Sequence, residues 1–93
     1  MTLKVLTYSS FNKVIKKLHK NSKADLDKAI RHLLENPVIG ELKKGDLAGV
    51  RVYKFKMAQQ PTLLAYIYDE KEKSITLIAL GSHENFYRNL KNT

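Results

Sequence analysis

The residues of this chain best equipped for chemistry stand together near its end: His83, Glu84, Tyr87 and Arg88. An imidazole titrates near neutral pH, so His83 can take or give a proton, while a phenol can donate one and a guanidinium can stabilise negative charge. His83 and Tyr87 are four residues apart and share a face if the segment is helical. Two more cations, Lys54 and Lys56, fall on one side of a stretch with strand period, and Arg51 falls on the other side with Tyr53 and Phe55. Each of these residues also has a plainer reading. Tyr87 lies close to Phe86 and Leu90 in helical projection and can close a core; Glu84 suits a first helical turn, with Arg88 as its surface partner.

The elements that must position these side chains are legible from apolar spacing. Ile75, Leu77, Ile78 and Leu80 do not alternate with polar residues, which predicts a strand covered on both faces. Gly81 is expected to turn the chain, and Ser82 to cap the helix that carries His83. At the other end, Leu3 to Tyr8 reads as a first strand. Ser9 or Ser10 then caps a helix with an apolar stripe of Phe11, Val14, Ile15 and Leu18. Its other side carries Lys13, Lys16, Lys17 and Lys20, as a solvated helix face does. Ser22 and Asp25 resemble a capping box, so a second helix is expected from near Lys23, with Leu26, Ala29, Ile30, Leu33 and Leu34 as its stripe. Asn36 before Pro37 ends it. His19 and His32 read as surface and boundary residues.

Val38 to Gly49 has loop composition, and its glycines lack the spacing of a phosphate loop. Val50 to Met57, Leu63 to Tyr68 and the last strand follow, joined by a turn at Ala58 to Pro61 and a charged hairpin at Asp69 to Ser74. Three strands joined by short turns imply an antiparallel sheet, and two amphipathic helices need one face of it. The expected class is therefore α+β: an N-terminal strand and helical hairpin packed on an antiparallel sheet, with a short C-terminal helix.

Length and charge bound the function. Ninety-three residues make one domain, 1–93, with one modest core. Seventeen Lys and Arg against nine Asp and Glu give a formal charge of +8, which directs attention to a polyanionic partner, either nucleic acid or an acidic protein. There is no cysteine for a disulfide or a thiolate metal site, and neither a metal nor a cofactor is expected. No apolar run is long enough for a signal peptide or a membrane span, so a soluble cytoplasmic protein is expected.

The size, the basic charge, the helical hairpin after a first strand, the segment GDLAGVRVYKFK and above all the closing IALGSHENFYRNLK resemble the RelE/ParE superfamily of bacterial type II toxins. The resemblance covers nearly the whole chain, and the closing segment is its specific part. It implies a sheet-plus-helix domain held in a hetero-oligomer by a cognate antitoxin. It further implies a ribosome-dependent endoribonuclease that cuts mRNA or, in the ParE branch, a non-enzymatic inhibitor of DNA gyrase; a toxin fold that only binds its antitoxin is a third reading. Metal-free RNA cleavage needs a base for the 2′-hydroxyl, a cation for the phosphorane and an acid for the departing 5′-oxygen. His83, Tyr87 and Lys54 are the catalytic candidates, with Lys56, Arg51 and Arg88 as RNA-binding residues. One segment departs from the pattern: ribonuclease members commonly carry an arginine in a stretch like RLIY, whereas this chain has Thr62-Leu63-Leu64-Ala65-Tyr66.

Overall fold

The computed structural model describes residues 3–45 and 48–82. The expected C-terminal helix, with His83, Glu84, Tyr87 and Arg88, lies outside the described residues. Within them, strands β1 (Lys4–Thr7), β2 (Glu41–Leu42), β3 (Arg51–Met57), β4 (Gln60–Asp69) and β5 (Ser74–Ser82) form a single sheet in the order β1-β5-β4-β3-β2. Helices α1 (Ser9–Lys17) and α2 (Lys20–Glu35) follow β1. The α+β class expected from the apolar spacing is the class observed.

The details differ in several places. Ser9 and Ser10 are the first residues of α1 itself, with Tyr8 at its N-cap, so neither serine caps it, and the expected loop holds the two-residue strand β2. The meander β3-β4-β5 is antiparallel, but β1 joins β5 in parallel, with Lys4 beside Ser74 and Thr7 beside Leu77. A parallel neighbour requires a long crossover, which the helical hairpin begins. Helix α2 starts three residues before Lys23, so Ser22 is buried within it and caps nothing. Asp25 instead accepts the Ala58 backbone N–H at 2.8 Å, tying α2 to the β3–β4 turn. That turn has only two residues, Ala58 and Gln59, both at positive φ (52° and 67°), the left-handed pair that a two-residue hairpin demands. Finally, Gly81 and Ser82 do not turn or cap. They stay in β5, paired with Leu63 and Thr62, because the ten-residue β4 offers a partner that far.

Phe11, Leu26 and Leu33 from the helices pack with Leu64, Tyr66, Ile75 and Leu77 from the sheet, all nearly inaccessible to solvent. The opposite face of the sheet gathers Val52, Leu63, Ala65 and Ile78. A register shift between Ala65 and Tyr66 leaves Ile78 as an extra residue in β5. It therefore reverses the alternation, sending Leu77 and Leu80 to the helix side while Ile78 and Ala79 serve the other.

Tyr66, at 0% exposure, is the polar centre of this core. Its hydroxyl donates to the Pro37 carbonyl at 2.8 Å and accepts the Gly40 N–H at 2.9 Å. Gly40 must be glycine, since a Cβ there would stand 2.6 Å from the Tyr66 oxygen. Tyr66→Phe should cost about 1–3 kcal/mol in urea unfolding with an unchanged slope, since it strands a buried donor and acceptor; a loss below experimental error would show these bonds to be dispensable. Burial raises the Tyr66 pKa from its ordinary value of 10.0, opposed by the Gly40 hydrogen bond and the charge of Arg51. A raised acid pKa means that the folded state keeps a proton the unfolded chain loses. The stability it carries is thus complete below about pH 10 and declines as pH rises through the higher folded value. The gap in stability between wild type and Tyr66→Phe should shrink above that pH, and a gap that widens would contradict this sign.

Candidate nucleic-acid interface

Strand β3 places the basic candidates by its alternation. Val52, Lys54 and Lys56 point to the face opposite the helices, and Tyr53, Phe55 and Met57 pack on the helix side. Lys54 and Lys56 are both exposed. Lys54 stands directly across from Leu63 on β4, which in turn stands across from Gly81 on β5. Two inter-strand steps separate Lys54 from Gly81, about 10 Å. Strand β5 thus crosses the row that carries Lys54 at Gly81, one residue before its last residue, Ser82, which stands on the row of Thr62 and Phe55. His83, Tyr87 and Arg88 themselves lie outside the described residues.

Arg51 is not brought to this surface. It is half-buried on the helix side, where its Nη1 donates to the carbonyls of Gly40 at 3.0 Å and Val38 at 3.4 Å. Its geometry is that of a clamp on the segment after α2. The guanidinium and the Tyr66 hydroxyl hold the same few residues from two directions, and β2 then pairs with β3 only across Val52 and Arg51.

On the face that carries Lys54, β4 contributes the apolar residues Leu63, Ala65 and Ile67, the first two buried, and Thr62 turns to the helix side, where its hydroxyl donates to the Gln60 carbonyl at 3.0 Å. The stretch that lacks the arginine is thus buried apolar sheet at Leu63 and Ala65. Among the described residues no group of three or more His, Asp or Glu side chains is arranged to hold a metal. No described helix is long and apolar enough to cross a membrane.

Lysines free to carry charge and an arginine used as a clamp should respond differently to truncation. Arg51→Ala should lower stability by about 1.5–3 kcal/mol, the range for hydrogen bonds to a charged group, whereas Lys54→Ala should stay within about 0.5 kcal/mol of wild type. Chemical denaturation of both variants tests this, and equal losses would refute the division of roles.

Comparison with known proteins bears on the same geometry. Residues 5–91 match the family model described as ParE-like toxin of type II bacterial toxin-antitoxin system. No curated protein sequence matches the chain significantly. Among solved structures, the fold is similar to a mutant of E. coli toxin RelE in the free state, with a TM-score of 0.74 and 21% identity over 99% of this chain and 93% of that one. It is also similar to the toxin-antitoxin complex RelBE2 from Mycobacterium tuberculosis, with a TM-score of 0.76 and 16% identity over 89% and 100%. The intact E. coli RelBE toxin-antitoxin complex aligns with a TM-score of 0.70 and 21% identity over 86% and 95%.

Proposed function

Given that the chain belongs to the ParE-like toxins of bacterial type II toxin-antitoxin systems, we propose that it is a metal-independent endoribonuclease that cuts mRNA on the ribosome. The observation that carries this reading is the row Lys54, Leu63, Gly81, in which a cation without a carboxylate partner among the described residues lies two strands from a glycine that precedes His83 by two residues in the sequence. In this reading His83 serves as the base that removes the 2′-hydroxyl proton, or as the acid that protonates the leaving 5′-oxygen. A bond forms from the 2′-oxygen to phosphorus as the bond to the 5′-oxygen breaks, and Lys54 stabilises the charge that accumulates between these events. Tyr87 donates a proton or stacks on a base, while Lys56 and Arg88 hold flanking phosphates. Arg51 acts through the fold rather than on RNA.

The relatives solved as RelBE complexes contain an antitoxin, and we extend that partner to this chain. A charge of +8 and a β3 edge that no described strand pairs beyond Val52 suit an acidic, extended segment of such a partner, giving a hetero-oligomer in the cytoplasm.

A second reading has its own observation. With Leu63 and Ala65 buried where a cation would be expected on β4, the chain is compatible with a non-enzymatic inhibitor of DNA gyrase of the ParE type. Primer extension on translated mRNA separates the two. The wild type should produce discrete cleavage products, which His83→Ala should reduce by about 10²-fold or more, in line with the loss of a general acid or base. Full cleavage by both His83→Ala and Tyr87→Phe would remove these residues from the mechanism. Gyrase-stalled DNA breaks without mRNA cleavage would favour the inhibitor.

A further inference from the structure

The helix side of β3 holds a second basic feature, apart from the row of Lys54. Where α2 passes β3, Asp25, Lys28, His32, Tyr53, Phe55 and Lys56 line a cleft of about 160 Å³. Lys28 and His32 are four residues apart on α2 and exposed, so both head groups lie on the face of the helix that overlooks the strand. His32 Nδ1 is 3.3 Å from the Tyr53 hydroxyl. The rings of Tyr53 and Phe55 stack with centroids 5.9 Å apart and planes 11° from parallel, giving the cleft a flat wall. Its one carboxylate, Asp25, is directed at the Ala58 N–H. The ion pairs Arg31 with Asp27 and Lys43 with Glu41 leave both Lys28 and Lys56 without a carboxylate partner among the described residues.

We propose that this cleft binds a phosphodiester group of single-stranded RNA, as a second contact for the strand that crosses Lys54. The inference rests on the RNA reading given above. A space of this size equals about five waters in volume, enough for a phosphate with some hydration and too little for a whole nucleotide. Its donors suit such an anion: two ammonium groups, an imidazole and a phenol, none of which reads a base edge. The aromatic wall separates RNA from an acidic peptide, because a sugar or base next to the bound phosphate can lie against rings that a carboxylate would leave unused. Lys56 connects the two sites. It belongs by alternation to the face of Lys54 yet borders the cleft, and among the described residues β2 pairs with β3 only at Arg51 and Val52, leaving the edge beside Lys54 and Lys56 unpaired by any described strand. A strand of RNA following that edge would meet both lysines.

The test is binding of a fluorescently labelled RNA of about ten nucleotides, of the order of known single-strand site sizes, to the free toxin across a salt series. Two variants are compared, Lys28→Ala with His32→Ala, and Lys54→Ala alone. The double variant should weaken binding several-fold and reduce the slope of log affinity against log salt by about 0.7, the value for one phosphate on a single strand. Unchanged affinity and slope in the double variant, with weakened binding in Lys54→Ala, would overturn the cleft proposal and leave the Lys54 contact intact. Unchanged binding in both would overturn the RNA reading and this inference together. Weakened capture of an acidic antitoxin peptide with RNA binding unchanged would reassign the cleft to the protein partner. Inorganic phosphate that competes as well as RNA does would reassign it to a free anion. Because Lys28 and His32 are exposed, the variants are expected to fold, and circular dichroism checks that they do.

Discussion

The Tyr66 hydroxyl is the interaction on which the rest of the structure depends. It sits on the central strand of the sheet, fully buried, and bridges Pro37 and Gly40 just after α2 ends. A buried phenol is tolerable only when its hydroxyl is paired, so the tyrosine requires those backbone groups as much as they require it. Gly40 is the form that this demand takes in the sequence. Once the segment is fixed there, and held again by Arg51, the chain reaches β3 at its beginning and pairs for two residues only. The stretch of β3 beyond Val52 that no described strand pairs on that side follows from that short contact.

Two opposite faces of one strand then have different surroundings. Lys54 and Lys56 alternate onto the side of the Val52, Leu63, Ala65 and Ile78 cluster and are themselves exposed, whereas Tyr53 and Phe55 complete the main core and line the α2 cleft. The extra residue in β5 performs a similar division further along the sheet. By reversing the alternation after Leu77, it keeps Leu80 in the core and sets Gly81, without a side chain, on the row of Lys54. A bulge beside a functional surface is a common way to re-aim a strand.

What the sequence disclosed and what it withheld follow from the range of the interactions concerned. The helical stripes of Phe11, Leu26 and Leu33, the alternation of β3 and the end of α2 before Pro37 were legible because each is a local periodicity or a local steric rule. Strand β2 was not, since two residues carry no period and pair only because Tyr66 and Arg51 hold the chain nearby. Asp25 looked like a helix cap because its hydrogen-bond partner, Ala58, is 33 residues away. The continuation of β5 through Gly81 was hidden for the same reason: a glycine followed by a serine reads as a turn until a long neighbouring strand offers it pairing. On the candidate site, the sides taken by Lys54 and Arg51 were readable from period two. The cleft partners Lys28 and His32 were not, although their i, i+4 spacing on α2 was a visible signal that only the packing against Tyr53 makes meaningful.

The parallel pairing of β1 with β5 sets an order in time. Among the described strands β1 leaves a ribosome first, yet its one neighbour among the described residues is β5, with Lys4 beside Ser74 and Thr7 beside Leu77. A contact of that sequence separation closes late, because the loop entropy must be met before the pairing is gained. Synthesis must therefore run past Leu77 before the described sheet can be completed, and β1 waits through that interval without the strand it pairs with.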